Sequence, residues 1–229
     1  MIILRFLSSL FFWLYLQVGF VVVALLSYPA RILRDKGRSF CYLTVRLVLR
    51  FLFLFSFFRV TVKGGDNLPA GGRTVFIANK PDLISTFALI AFFPRHLSFI
   101  AEARLFRLPI IGRVFKAIGC IPSVAAGEHS FAFPVKVLNA FRRAGNILFY
   151  TANLRRQDSQ FTSFPAAELQ IAKTLESTII PIMVKGTDKI MPPGSAIFAP
   201  GRIEIIVGNP IAATDVGPAA KKLEEFYGI

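Results

Sequence analysis

The hydrophobic pattern begins with residues 6–28, a stretch without a charged side chain. As a helix it would be about 34 Å long, enough to cross a bilayer core of about 30 Å. A signal peptide is disfavoured, because its apolar run is usually only about 7–15 residues and because Arg5 alone precedes this one as a charge. We therefore predict an N-terminal membrane helix.

A basic loop and a second apolar run follow this helix. The loop from Arg31 to Arg38 contains four basic residues and one acid, which by the positive-inside rule places it on the cytoplasmic side. The run Phe40–Phe58 is interrupted by Arg46 and Arg50, which are four residues apart and would share one helical face. This pattern favours an interfacial helix with a basic stripe over a second span, the alternative being a core helix with two snorkelling arginines. We predict that residues 1–58 form a membrane-anchoring segment with two N-terminal membrane helices.

From residue 59 onward, short apolar runs alternate with helical patterns. Several runs, such as TVFIA and NILFY, are nearly continuous in hydrophobic residues, which is typical of strands buried on both faces of a parallel sheet. The pattern therefore predicts an α/β domain over residues 59–229, with a mixed, largely parallel sheet flanked by helices. The predicted strands are Val60–Lys63, Thr74–Ala78, Leu97–Ala101, Asn146–Tyr150, Thr178–Val184 and Ile203–Val207, and the predicted helices are Ile84–Phe93, Leu108–Ile118, Ser130–Arg143 and Ala166–Glu176.

Composition narrows the classes of partner. The chain is 54% hydrophobic, which excludes an intrinsically disordered protein, and its net charge of +14 favours an anionic partner. A membrane surface with its lipids fits this charge better than nucleic acid, because the basic residues are scattered among apolar ones without a recognised nucleic-acid motif. Cys41 and Cys120 lie far apart and predict neither a disulfide framework nor a metal site.

Several blocks of the α/β part resemble the glycerophospholipid acyltransferase family, in particular bacterial 1-acylglycerol-3-phosphate (lysophosphatidic acid) acyltransferases. The blocks follow the family's order, and the segment that contains them, from Val62 to Ile211, is about two thirds of the chain. They are Gly64–Pro69, Val75–Asn79, Phe99–Ala101, Leu105–Gly112, Gly119–Pro122, Ile180–Thr187, Gly201–Arg202 and Gly208–Ile211.

The resemblance implies acyl transfer from a thioester, either acyl-CoA or acyl carrier protein, to a lysophospholipid hydroxyl. This donor is a substrate, so no cofactor is implied. The family uses an N-H-x-x-x-x-D motif in which the His takes the proton of the attacking hydroxyl and the Asp orients that His. A hydroxyl is a poor nucleophile until an adjacent base takes its proton. A second motif, close to F-P-E-G-T-R-S, surrounds the glycerol phosphate.

This sequence departs from the family at the polar positions of both motifs. The His position holds Lys80 and the Asp position holds Ser85. In the second motif, Thr151, Ala152, Asn153 and Leu154 stand where P-E-G-T is expected, and Arg155 falls at the arginine position. Arg155 is a candidate for binding the substrate phosphate, with a surface arginine beside Arg156 as the alternative.

The altered motifs predict a catalytically inactive or severely impaired protein on an intact fold. From the basic loop, the folded domain is expected at the cytoplasmic face of the inner membrane. The only histidines of the chain, His96 and His129, are not expected to replace the missing base. Two alternatives stay open: a non-catalytic lipid-binding or scaffolding protein, and an active acyltransferase that works without the dyad.

Overall fold

The computed structural model describes residues 2–30, 34–71, 73–79, 82–101, 103–122, 137–139, 141–142, 145–150, 166–192, 195 and 197–228. The helices of this part are α1 (Ile2–Ala30), α2 (Arg34–Phe55), α3 (Leu83–Phe92), α4 (Ile111–Ala117), α5 (Ala166–Thr174), α6 (Thr187–Ile190) and α7 (Val216–Tyr227). The strands are β1 (Phe58–Lys63), β2 (Thr74–Ala78), β3 (Ser98–Ala101), β4 (Ile121–Pro122), β5 (Asn146–Tyr150), β6 (Thr178–Lys185), β7 (Gly201–Val207) and β8 (Ile211–Ala212).

The strands of the described part form one eight-stranded sheet in the order β1-β7-β6-β2-β5-β3-β4, with β8 paired to β6. The central pairs β2–β5, β2–β6 and β3–β5 are parallel, whereas β6–β7 and β6–β8 are antiparallel. All residues of β2 are buried, as its continuous apolar run predicts. The predicted mixed, largely parallel α/β fold is therefore confirmed.

Two hydrophobic cores lie on the two faces of this sheet. One joins the sheet to α1–α4 through residues such as Phe76, Leu89 and Leu148, all fully buried. The other joins the sheet to α5 and α7 through residues such as Val75 and Leu223. The two faces are thus covered by different sets of helices, and the N-terminal helices belong to one of these layers.

Most of the predicted strands and helices lie where expected, with shifts of a few residues at their ends. The helix predicted over Leu108–Ile118 begins only at Ile111, after a 3-10 turn over Ala103–Arg107, since Pro109 disfavours a helical conformation at the residue before it. The helix predicted over Ser130–Arg143 lies mostly outside the described residues, of which 137–139 and 141–142 are helical. Helices α6 and α7 and strands β4 and β8 were not predicted.

The N-terminal helices α1 and α2 pack side by side. Gly19 allows this close approach, since a Cβ there would lie 2.4 Å from Val48 Cγ1. One helix, over Ser9–Ser27, is long and apolar enough to cross a membrane by its length and composition. Of the two predicted N-terminal membrane helices, only α1 is a candidate span among the described residues, because α2 begins with a cluster of charged residues at Arg34–Arg38 and carries two further arginines.

Those two arginines bind the C-terminal end of α3. Arg46 donates from Nε to the carbonyl oxygen of Ala91 at 3.0 Å and from Nη2 to that of Phe93 at 2.8 Å. Arg50 Nε donates to the same Ala91 carbonyl at 2.8 Å. The last carbonyls of a helix have no partner within it and carry the negative end of its dipole, so guanidinium groups suit them well. These contacts correct the interpretation of Arg46 and Arg50 as a stripe facing the membrane.

Replacing Arg46 by Met should lower the free energy of unfolding by about 2 kcal/mol, because two hydrogen bonds from a charged donor are lost at the end of α3. In a chain of this length the midpoint of thermal unfolding should fall by about 5 °C, measured by circular dichroism in detergent. The matched control is Arg59→Met, at an exposed position of β1. Equal losses for the two variants would contradict the capping role of Arg46.

Candidate active site at the carboxyl edge of the sheet

Both motif segments leave the sheet from neighbouring strands at the same edge. Ala78, the last residue of β2, pairs with Tyr150, the last residue of β5, in a parallel register. Ligand sites of open parallel sheets lie at the carboxyl ends of the strands. The structure thus brings the start of the first motif, at Asn79, next to the strand that leads into the second.

Among the predicted site residues, Ser85 lies within the described part of the chain. Lys80, residues 151–154 and Arg155 lie outside the described residues. Their roles therefore stay predictions.

Ser85 lies in the first turn of α3 and is fully buried. Its hydroxyl donates a hydrogen bond of 2.6 Å to Oδ2 of Asp82, and its backbone N–H donates one of 2.7 Å to Oδ1. Asp82 is thus the N-cap residue of α3, where a side-chain acceptor satisfies one of the unpaired N–H groups and a negative charge faces the positive end of the helix dipole.

Thr187 reaches the same carboxylate from another part of the sheet. Its hydroxyl donates to Asp82 Oδ2 at 3.0 Å, and its side chain is buried. The turn that brings Thr187 to this position requires a glycine at position 186. The φ of Gly186 is +92°, and a Cβ there would lie 2.2 Å from the carbonyl oxygen of Arg202 in β7. Asp82 consequently accepts three hydrogen bonds from two separate segments.

Asn79 continues the pairing of β2 with β6 through its side chain. Its Oδ1 accepts from the N–H of Val184 at 2.9 Å, and its Nδ2 donates to the Val184 carbonyl oxygen at 3.3 Å. The amide thereby takes the place of a backbone peptide unit just beyond the end of β2. Asn79 has a structural role in this fold, since both ends of its amide are occupied.

Tyr150 and Thr86 form a second polar pair at this edge. The Thr86 hydroxyl donates to the backbone carbonyl of Asp82 at 2.9 Å, so the Tyr150 phenol, 2.8 Å away, donates to Thr86. Desolvation raises the pKa of the Tyr150 phenol well above its usual value, and the Asp82 charge adds to this increase. Tyr150 therefore stays protonated at neutral pH and serves as a donor, not as a base.

His96 lies away from the motif segments. It precedes β3, its Nε2 donates to the carbonyl oxygen of Ile118 at 3.2 Å, and its ring centroid is 3.8 Å from that of Tyr42. Burial lowers its pKa from the usual value, and the nearby charge of Arg38 acts in the same direction. His96 is a packing residue at the start of its strand, opposite to the carboxyl edge. His129 lies outside the described residues.

Comparison with known proteins identifies the family. A family model described as "Acyltransferase" matches residues 59–185, more than half of the chain. The chain belongs to the acyltransferase family. The matched segment includes Asn79, Asp82, Ser85 and Tyr150, so most of the polar cluster described above lies within the family's own domain.

Curated relatives with similar sequences are plant and algal enzymes. A chloroplastic 1-acyl-sn-glycerol-3-phosphate acyltransferase of Arabidopsis thaliana is 23% identical over 194 residues, which are 83% of this chain and 54% of that protein. One of Brassica napus is also 23% identical, over 83% of this chain and 56% of its own length. One of Chlamydomonas reinhardtii is 26% identical over 66% of this chain and 46% of its own length. The chain spans about half the length of the curated relatives it matches.

A solved structure shares the fold over nearly the whole chain. The crystal structure of the 1-acyl-sn-glycerophosphate acyltransferase PlsC of Thermotoga maritima matches with a TM-score of 0.79 and 19% identity, covering 98% of this chain and 94% of the other. The resemblance to glycerophospholipid acyltransferases is therefore confirmed for family and fold.

Sequence reasoning missed the central role of Asp82 in this candidate site. It assigned no role to this residue. An acidic residue directly before an apolar helical run is an N-cap signal, and this signal could have placed the carboxylate at the start of α3. The contact with Thr187 could not have been found in this way, because the two residues are 105 positions apart.

Proposed function

We propose that this chain is a membrane-bound protein of the lysophosphatidic acid acyltransferase fold whose catalytic activity is lost or severely impaired. The observation that carries the proposal is the polar cluster at the carboxyl edge of the sheet. Among the residues described there, the side chains are an amide, a carboxylate, hydroxyls and a phenol, and they are bonded to one another or to backbone. None of these described groups is a histidine.

The chemistry of the family reaction explains why this matters. The acceptor hydroxyl needs a base with a pKa near the working pH, and Lys80 stands at the family's histidine position. A lysine has a reference pKa of about 10.4 and is protonated at neutral pH, so it does not accept the proton. Loss of a general base alone costs about 10²- to 10⁴-fold in rate.

The substrates in this proposal are those of the relatives. Their names give 1-acyl-sn-glycerol-3-phosphate as the acceptor. The resemblance adds an acyl thioester as the donor and Arg155 as the residue that binds the phosphate.

An apolar outer face on α1 and α2 supports membrane attachment. On the side of α1 away from the domain, large hydrophobic side chains are 39–66% exposed from Phe6 to Leu25, a length of roughly 28 Å. An exposed apolar area of this extent on a soluble protein marks an interaction site. We call the following set the outer face: Phe6, Leu7, Leu10, Phe11, Leu14, Val18, Val21, Val22 and Leu25 of α1, with Phe40, Leu43, Leu47, Phe51, Leu54 and Phe55 of α2.

The other side of α1 is committed to the α/β domain. Phe12 packs against Phe198 with 4.3 Å between the ring centroids, and Ser9 Oγ accepts a hydrogen bond of 2.8 Å from the backbone N–H of Phe198. A helix held against the domain along one side cannot be surrounded by lipid on all sides. This favours insertion of the outer face of segment 1–58 into one leaflet, with domain 59–229 on the cytoplasmic side of the inner membrane, as the basic loop after α1 predicts.

The purified chain in detergent should not transfer a labelled palmitoyl group from its thioester to lysophosphatidic acid above background, because no base is expected to take the hydroxyl proton. The measurement is product formation by thin-layer chromatography. A family member of the same fold with an intact H-x-x-x-x-D motif is the positive control. Turnover within about a hundredfold of that control would contradict the proposed inactivity.

Replacing Leu14 and Leu47 of the outer face by Asp should lower the partition coefficient onto phosphatidylglycerol vesicles at least tenfold, since burying the outer face in lipid would then bury two charges. Co-flotation with vesicles measures this. The control, Ala212→Asp with Gly217→Asp, adds the same charge at exposed positions distant in sequence from α1 and α2, where a Cβ at Gly217 meets nothing within 4 Å. Equal partitioning of both double variants would show that the outer face does not contact lipid.

A further inference from the structure

The carboxylate of the family's dyad is not simply missing from this chain. We propose that Asp82 supplies it from one helical turn earlier, so that its carboxylate occupies the place of the acid that the family has at position 85. Asp82 is then a positioning residue whose histidine partner has been lost. The inference rests on the proposed function, since it takes the family's dyad as the reference.

The distances at Ser85 carry this proposal. An Asp at position 85 in the same rotamer would put its carboxyl carbon near the present Ser85 Oγ, with its oxygens about 1.2 Å further out. Asp82 Oδ2 already lies 2.6 Å from that Oγ. The negative charge of the family's acid and that of Asp82 would therefore lie within a hydrogen-bond length of each other.

The carboxylate is held by more than a helix cap requires. A cap needs one oxygen to accept from a backbone N–H in the first turn, which Oδ1 does at 2.7 Å. The second oxygen, Oδ2, accepts from the hydroxyls of Ser85 and Thr187, both buried. Thr187 comes from the segment after β6, so the orientation of the second oxygen is set across the sheet edge, as a group that must orient a catalytic partner requires.

A consequence is that restoring the acid at position 85 alone would be unfavourable. Ser85→Asp in the presence of Asp82 places two carboxylates in contact, and one of them would have to take up a proton. Lys80→His alone should already recover an interacting pair.

The test reads the pKa of a histidine introduced at position 80. The unmodified chain has two histidines, so K80H adds a third signal in NMR spectra of ¹³C-histidine-labelled protein in detergent. In K80H the pKa of the introduced imidazole should lie about 1 unit above its value in K80H/D82N, because an adjacent carboxylate favours the imidazolium form. Asn keeps the N-cap and removes the charge.

Two further variants test whether the two positions are equivalent. K80H/S85A should keep the raised pKa of the introduced imidazole, since this variant leaves Asp82 unchanged. K80H/D82N/S85D should restore it. Should K80H/D82N fail to fold by circular dichroism, K80H/D82S takes its place, because Ser is also a good N-cap residue.

An unchanged pKa of the introduced imidazole between K80H and K80H/D82N would overturn the proposal, and so would failure of K80H/D82N/S85D to restore the raised value. The readout does not depend on turnover. Activity in the unmodified chain would contradict the proposed function and would leave this comparison valid.

Discussion

The carboxylate of Asp82 is the interaction on which the candidate site depends. It caps α3 at its N-terminal end and also accepts the hydroxyl of Thr187 from the segment after β6. These bonds fix the position of the start of α3 relative to the end of β6 and to the turn at Gly186. Asn79 adds a second connection between the end of β2 and Val184 of β6. The candidate active site at this edge is thus a cross-linked polar cluster.

The opposite end of α3 is also fixed by hydrogen bonds. Arg46 and Arg50 of α2 bind the carbonyl groups that end the helix, so α3 is tied at one end to the sheet edge and at the other to the N-terminal helices. Because α1 packs along α2 and against Phe198, this arrangement connects the apolar outer face to the site. Under the proposed function, a lipid that reaches the site from a membrane would come from a surface joined to the site by these contacts.

The fold was largely predictable because its central strands β2, β5 and β6 are mostly buried on both faces. The runs in β2 and β5 are continuously apolar, and their predicted bounds agree with the structure. Helix α7 was missed because it has only two buried positions, Ala219 and Leu223, although its N-cap residue Asp215 is a recognisable start signal. The role of Arg46 was misread because periodicity shows which residues share a face but not what that face contacts.

The site was only partly predictable for the same reason. The family resemblance predicted the altered positions, among them Ser85, but the partner of Ser85 could be found only from coordinates. A motif states which residue types are expected at a spacing. It does not show that a carboxylate three residues earlier in the chain points to the same place, or that Thr187 approaches it.

A double-mutant cycle between Asp82 and Thr187 tests the central claim that this carboxylate is anchored from two segments. The free energy of unfolding would be measured by urea denaturation for the unmodified chain, Asp82→Asn, Thr187→Val and the double variant. We predict a coupling energy of about 1 kcal/mol or more, because a buried hydroxyl donates to a charged acceptor. Additive effects within about 0.3 kcal/mol would show that the contact does not hold the site together, and would contradict the account.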